Sequence, residues 1–176
     1  HLVDFVQRHP HWLPRLRGAF SLAFADEQTL YAARDPHGVR PLVLGRLERG
    51  WVIASETAAL DIVGAEYVRD VEPGELVVLE PGVAPRSVRF AEPTPALCVF
   101  ELIYFARPDT YMEGRNLYEA RRRMGLQLAI EHPADTDMVM PVPDTGAPAA
   151  AGFAEGAGIP YREGLVRNRY TGRTFI

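Results

Sequence analysis

The stretch Ala91-Glu92-Pro93-Thr94-Pro95 carries two prolines in three positions. Proline fixes φ and removes a backbone donor, so the stretch suits neither a helix nor a central strand. It is the best linker in the chain, and the residue pattern changes across it.

Before the linker, residues 18–90 read as short strands between turns. Phe20 to Phe24 is followed by Asp26-Glu27-Gln28, and Leu30 to Ala33 ends at Asp35-Pro36-His37-Gly38. Pro41 to Gly45 and Trp51 to Ala54 join across Glu48-Arg49-Gly50, and Glu75 to Leu79 sits between two Glu-Pro-Gly turns. Pro and Gly set the turn dihedrals, and the β-branched residues between them favour strand. With few long helices in between, an antiparallel sheet is expected.

After the linker the period becomes helical. Residues 116–131 place Leu117, Ala120, Met124 and Leu128 on one expected apolar face. Asn116 is a suitable N-cap and Pro133 lies just beyond the end. Met138-Val139-Met140 reads as a short strand running into Pro141-Val142-Pro143-Asp144-Thr145-Gly146. An Ala-rich helix from Ala147 to about Glu155 follows. Helix, strand, loop, helix is the rhythm of an α/β domain.

Composition excludes several classes. Of 176 residues 47% are hydrophobic and 24% charged, an ordinary globular balance. All 19 basic residues are Arg against 23 acidic ones, giving a net charge of −4 with no basic run, so general nucleic-acid binding is not expected. No apolar run approaches the roughly 18–20 residues of a membrane span. The single Cys cannot form an internal disulfide. The expectation is a cytoplasmic protein. The chain begins at His1 within an apolar pattern, Leu2-Val3-Phe5-Val6, that reads as the tail of a helix, and stops at Phe175-Ile176. It reads as an internal piece of a longer protein.

Four segments can carry chemistry. The loop Pro143-Asp144-Thr145-Gly146 precedes a helix, where free N–H groups and the helix dipole suit a phosphate or pyrophosphate. A capped helix start explains the same residues, and on them alone it is the simpler reading. The run Arg167-Asn168-Arg169-Tyr170-Thr171-Gly172-Arg173 is cationic and rich in donors, able to close over an anion. A solvated basic loop fits it equally well. Cys98 opens an aromatic segment that ends at Arg107-Pro108-Asp109, and a lone Cys is most often a small buried hydrophobe. Arg34-Asp35-Pro36-His37-Gly38-Val39-Arg40 holds a His, a residue type suited to acid–base work, but a tight turn with Gly38 at positive φ accounts for most of it.

Together these motifs resemble the amidophosphoribosyltransferases. The resemblance rests on Arg34-Asp35-Pro36-His37-Gly38-Val39-Arg40-Pro41-Leu42, on Ala54-Ser55-Glu56-Thr57, and on Arg69-Asp70-Val71-Glu72-Pro73-Gly74-Glu75. It continues in Phe100-Glu101 with Tyr104-Phe105-Ala106-Arg107-Pro108-Asp109, in Pro141-Val142-Pro143-Asp144, and in Asn168-Arg169-Tyr170-Thr171-Gly172-Arg173-Thr174-Phe175-Ile176. The motifs follow the family's order along essentially the whole chain. The family makes 5-phosphoribosylamine, the committing step of purine synthesis, from phosphoribosyl pyrophosphate (PRPP) and ammonia released from glutamine.

The resemblance implies a two-domain α+β and α/β piece. Residues 1–92 would be the C-terminal part of an αββα N-terminal-nucleophile glutaminase. Residues 93–176 would be the first part of an α/β phosphoribosyltransferase domain. The family's nucleophile, an N-terminal Cys whose α-amino group acts as base, would lie before His1, and its Asp-Asp-Ser phosphoribosyl motif after Ile176. No catalytic residue is therefore expected within the chain, and the piece alone would be inactive.

Carried over by match, Thr145 corresponds to a Mg²⁺ ligand and Asp144 lies in the pyrophosphate loop. Arg167, Tyr170 and Arg173 correspond to the loop that orders over PRPP; the family often has Lys where Arg167 stands. Cys98 matches the first ligand of the [4Fe–4S] cluster of one branch, but the cluster-free branch can retain this Cys too. The implied partners are glutamine, PRPP and further copies of the same chain, since the family forms homotetramers. Two other readings compete: a PRPP-binding regulator, against which the strand-rich first half argues, and a degenerate amidotransferase that serves only in assembly.

Overall fold

The computed structural model describes residues 10–172. The apolar pattern at 2–6 and residue Arg173 lie outside them. The chain forms two compact units, one ending at Glu101 and the other beginning at Leu102.

Among the described residues the first unit holds seven strands and one α-helix. They are β1 (Ser21–Ala25), β2 (Leu30–Arg34), β3 (Val43–Leu47), β4 (Gly50–Ala54), α1 (Thr57–Val63), β5 (Glu66–Asp70), β6 (Glu75–Leu79) and β7 (Arg86–Arg89). A 3-10 turn at Pro10–Arg15 precedes them. The strands make two antiparallel sheets, ordered β1-β2-β6-β7 and β4-β3-β5.

Period-two alternation assigns each face. On β2 and β6, Tyr31, Ala33, Leu76 and Val78 share one apolar layer with Leu13, Phe20 and Phe24. Their neighbours Ala32, Val77 and Leu79 point the other way, against Leu44, Trp51 and Ile53 of the second sheet. A third layer packs Val43 and Val52 against Leu60 of α1. Strand β6 is buried at every position because it is central and covered on both faces. Each buried aliphatic contributes about 1.5–3 kcal/mol.

Charges at the rim of this sandwich are paired. Arg69 forks onto Glu75 with two 2.8 Å bonds and reaches the Ser87 hydroxyl at 3.0 Å. Burial pushes the Glu75 carboxyl up, but the Arg69 fork, Ser87 and the Glu72 N–H together hold it below its usual range.

The turn after β2 is consumed by its own backbone. Arg34 donates to the carbonyls of Arg40 (2.9 Å), Val71 (2.9 Å) and Gly38 (2.8 Å). Asp35, wholly buried, accepts from the N–H groups of Phe20 and His37. Gly38 sits at φ 59°, as the turn reading expects. The proline stretch docks onto this turn. Thr94 and Ala96 donate their N–H groups to the carbonyls of Pro36 and His37, each at 2.8 Å. Nδ1 of His37 lies 2.8 Å from the Thr94 hydroxyl and 3.0 Å from its carbonyl.

The second unit contains the hairpin β8 (Tyr111–Met112) and β9 (Arg115–Asn116), and the helices α2 (Leu117–Glu131) and α3 (Ala147–Ala157). A π-helical turn, Glu101–Phe105, leads into it. The hairpin turns through Glu113 (φ 50°) and Gly114 (φ 71°), both left-handed as a two-residue loop requires. Asn116 caps α2, its side chain accepting from Glu119 N–H at 3.1 Å.

Two sequence expectations are corrected here. The buried face of α2 is Leu117, Arg121, Gly125 and Ala129, while Met124 and Leu128 are 42% and 46% exposed. The reason is backbone proximity. A Cβ on Gly125 would collide with the Ala149 carbonyl oxygen of α3, and one on Gly152 with that of Arg122. Only small residues allow such an approach. The second correction is at Met138–Met140, where a single parallel bridge between Val139 and Tyr161 replaces the expected strand.

Candidate phosphate-binding site

The bridge at Val139 anchors the candidate loop. Val139 N–H donates to Pro160 and Arg162 N–H to Val139, each at 2.9 Å. The chain then runs through residues 141–146 into α3, with a cis Pro143–Asp144 peptide. Gly146 is the N-cap residue and no side chain caps this helix. The capping reading of Asp144 and Thr145 therefore fails. The Thr145 hydroxyl makes no hydrogen bond among the described residues. At the start of α3 the Ala147 N–H donates to the Asp144 carbonyl at 3.3 Å and Pro148 has no N–H, so what this end offers an anion is mainly the positive end of the helix dipole.

The structure brings Asp144 and Arg167 together at 3.2 Å. Both side chains are more than half exposed. Thr145 follows Asp144, so three of the expected site residues cluster at the start of α3. Tyr170 does not join them. Its N–H bonds to Asn168 at 3.0 Å and its side chain is fully exposed.

Beside the loop lies an open cavity of about 410 Å³, lined by Ile103, Tyr104, Arg121, Met124, Thr145 and Gly146 among others. Arg121 is 2% exposed and donates to the carbonyls of Leu102 (2.8 Å) and Ala106 (2.7 Å). Sequence reasoning missed Arg121 as part of this wall. Its usable signal was the spacing 117, 121, 125, 129, hidden because the apolar residues of α2 follow a different stripe.

Cys98 lies in the first unit and is half-buried. Among the described residues no group of three or more His, Cys, Asp or Glu converges anywhere. A [4Fe–4S] cluster takes four thiolates, so the described residues do not fit one. Asp144 and Thr145 offer the hard oxygens that Mg²⁺ prefers, but only two such side chains. At the end of the first unit, Glu101 pairs with Arg40. Burial raises the Glu101 carboxyl above its ordinary range against the pull of Arg40. No helix among the described residues is long and apolar enough to cross a membrane.

Residues 1–62 match the family model for a glutamine amidotransferase domain. Two solved structures cover the whole chain at 42% identity and a TM-score of 0.88. One is described as the allosteric regulatory enzyme of purine biosynthesis, the other as glutamine PRPP amidotransferase from B. subtilis complexed with ADP and GMP. These define the class: an amidotransferase sequence with mixed α and β structure. An amidophosphoribosyltransferase from Mycobacterium tuberculosis is 61% identical over 165 residues, 93% of this chain and 31% of the relative. Those of Synechococcus elongatus and Methanothermobacter thermautotrophicus are 56% and 48% identical, each over 92% of this chain. Over the stretch it covers, the chain belongs to the amidophosphoribosyltransferase family. It spans about a third of the length of these relatives, 31–34%.

Proposed function

We propose that this chain is the stretch of an amidophosphoribosyltransferase in which an αββα glutaminase sandwich gives way to an α/β phosphoribosyltransferase domain. The whole enzyme converts PRPP, glutamine and water to 5-phosphoribosylamine, glutamate and pyrophosphate, the first committed step of purine synthesis. Glutamine hydrolysis yields ammonia. The ammonia nitrogen bonds to C1 of PRPP, the C1–oxygen bond breaks, and pyrophosphate leaves with the electron pair.

The observation that carries this reading is the clustering of Asp144, Thr145 and Arg167 at an uncapped helix N-terminus. The positive end of the α3 dipole would stabilise the charge that develops on the leaving pyrophosphate. Arg167 adds a planar cation on a segment without regular structure, suited to closing over the ligand. Mg²⁺, when bound, neutralises pyrophosphate oxygens. Thr145 would be its donor from this chain. The Cys98 thiolate is one ligand of a [4Fe–4S] cluster only where three others come from outside the described residues, and no step depends on it. The enzyme works in the cytoplasm as a homo-oligomer, and this chain alone is inactive.

The test is the full-length protein, assayed for glutamate and pyrophosphate. Glutamate forms slowly from glutamine alone and faster with PRPP, with one pyrophosphate released per phosphoribosylamine. A protein that hydrolyses glutamine but releases no pyrophosphate from PRPP sinks the proposal.

A further inference from the structure

We infer that Arg121 is a positioning residue for the PRPP site, holding the π turn that forms the far wall of the cavity beside Thr145 and Gly146. The inference rests on the function proposed above.

Burying a guanidinium is costly, and a side chain chosen only for packing at this position would be apolar. The rest of the buried stripe of α2 is Leu117, Gly125 and Ala129. Arg121 breaks that pattern and directs its donors to two carbonyls. The Leu102 carbonyl lies near the start of the π turn and that of Ala106 just past its end. Pro108, which follows Arg107, has no N–H to offer. The guanidinium fork therefore clasps the π turn, with Nε on the Leu102 carbonyl near its start and Nη2 on the Ala106 carbonyl just past its end.

Between those two anchored carbonyls lie Ile103 and Tyr104, which face the same cavity as Thr145, Gly146 and Arg121 itself. π turns are rare and recur at functional sites. Fixing both ends of this one sets the width of the cavity. Arg121 is the one charged side chain among the described lining residues. Its positive charge reinforces the α3 dipole in favouring an anion.

The experiment compares Arg121→Met and Arg121→Lys with the unmodified full-length enzyme. It measures the KM for PRPP, kcat, the PRPP-independent glutaminase rate, the melting temperature and calorimetric binding of magnesium pyrophosphate. Arg121→Met raises the KM for PRPP and weakens pyrophosphate binding by about tenfold or more, with the basal glutaminase within about twofold. Arg121→Lys keeps the charge but not the two-point fork, and restores only part of the loss. Unchanged KM and pyrophosphate affinity in folded Arg121→Met overturn the inference. So does a parallel fall of the basal glutaminase with the PRPP parameters, which marks a purely structural residue. If Arg121→Met does not fold, Arg121→Lys decides by the same two outcomes. A wild-type enzyme that binds pyrophosphate but does not turn over PRPP refutes the reaction proposed above, and pyrophosphate affinity then judges Arg121 alone.

Discussion

The Arg167 guanidinium donates to the Asp144 carboxylate at 3.2 Å, pairing the cationic segment with the acid that stands before α3. An anion arriving at the helix N-terminus meets that carboxylate first. It must either displace it from Arg167 or bind beside it. Exposed ion pairs contribute only about 0–1 kcal/mol, so the contact is easily exchanged.

Asp144→Asn is therefore expected to tighten metal-free pyrophosphate binding by up to about fivefold, the equivalent of 1 kcal/mol. Arg167→Ala is expected to weaken it. Calorimetry at two salt concentrations checks both, and the difference shrinks as salt rises. Weaker binding by Asp144→Asn would show that the carboxylate supports the ligand.

Thr145→Val removes a hydroxyl that caps nothing. The melting temperature stays essentially unchanged. Mg²⁺-dependent PRPP binding falls by about tenfold, as expected for a lost metal ligand or its support. The basal glutaminase rate is unaffected. A drop in stability with unchanged PRPP binding would return Thr145 to a structural role.

Gly125→Ala and Gly152→Ala should each destabilise the second unit, although Gly to Ala in an exposed helix gains about 1 kcal/mol. The added Cβ has nowhere to go except into a backbone carbonyl of the facing helix. Forced separation of α2 and α3 is expected to cost about 1–3 kcal/mol or more. Chemical denaturation reads the sign directly. A stabilised Gly125→Ala would mean the helices do not cross this closely.

Acid tests the charge cluster on α2. Hydrogen bonds from Arg122 and then Arg123 pull the Glu119 carboxyl down from 4.5 to about 2. Arg122 also reaches Glu155 of α3. A carboxyl with a lowered folded value takes up its proton first in the unfolded chain, so stability falls as pH falls. The contribution is whole above 4.5 and is lost down to about 2. Glu119→Gln should flatten the dependence of melting temperature on pH across that window, followed by circular dichroism. An equally steep acid limb in Glu119→Gln would assign the effect to other carboxylates.

What the sequence revealed depended on which forces act locally. The Glu-Pro-Gly turns delimited β6 to the residue, because turn chemistry needs no tertiary context. β5 and β7 went unread: Glu66–Asp70 and Arg86–Arg89 are mostly exposed edge strands without clear alternation. α1, with seven residues, is too short to show a period. The face of α2 was misplaced because large apolar residues signal burial in water, whereas this crossing is governed by how closely two backbones approach. At the site, Asp144, Thr145 and Arg167 were found through the family's motifs. Arg121, inside a triplet of arginines, carried no mark that distinguished it from its solvated neighbours.

The anchoring of Thr94 and Ala96 on the Pro36–His37 turn bears on where the gene can be divided. The proline pair invites a cut at residue 92. Such a cut strips the first unit of two N–H donors and of the partner of His37, leaving the carbonyls of Pro36 and His37 to water. It also discards Glu101, the counter-ion of Arg40. An excised sandwich that is to stand alone should therefore keep its proline tail and end after Glu101.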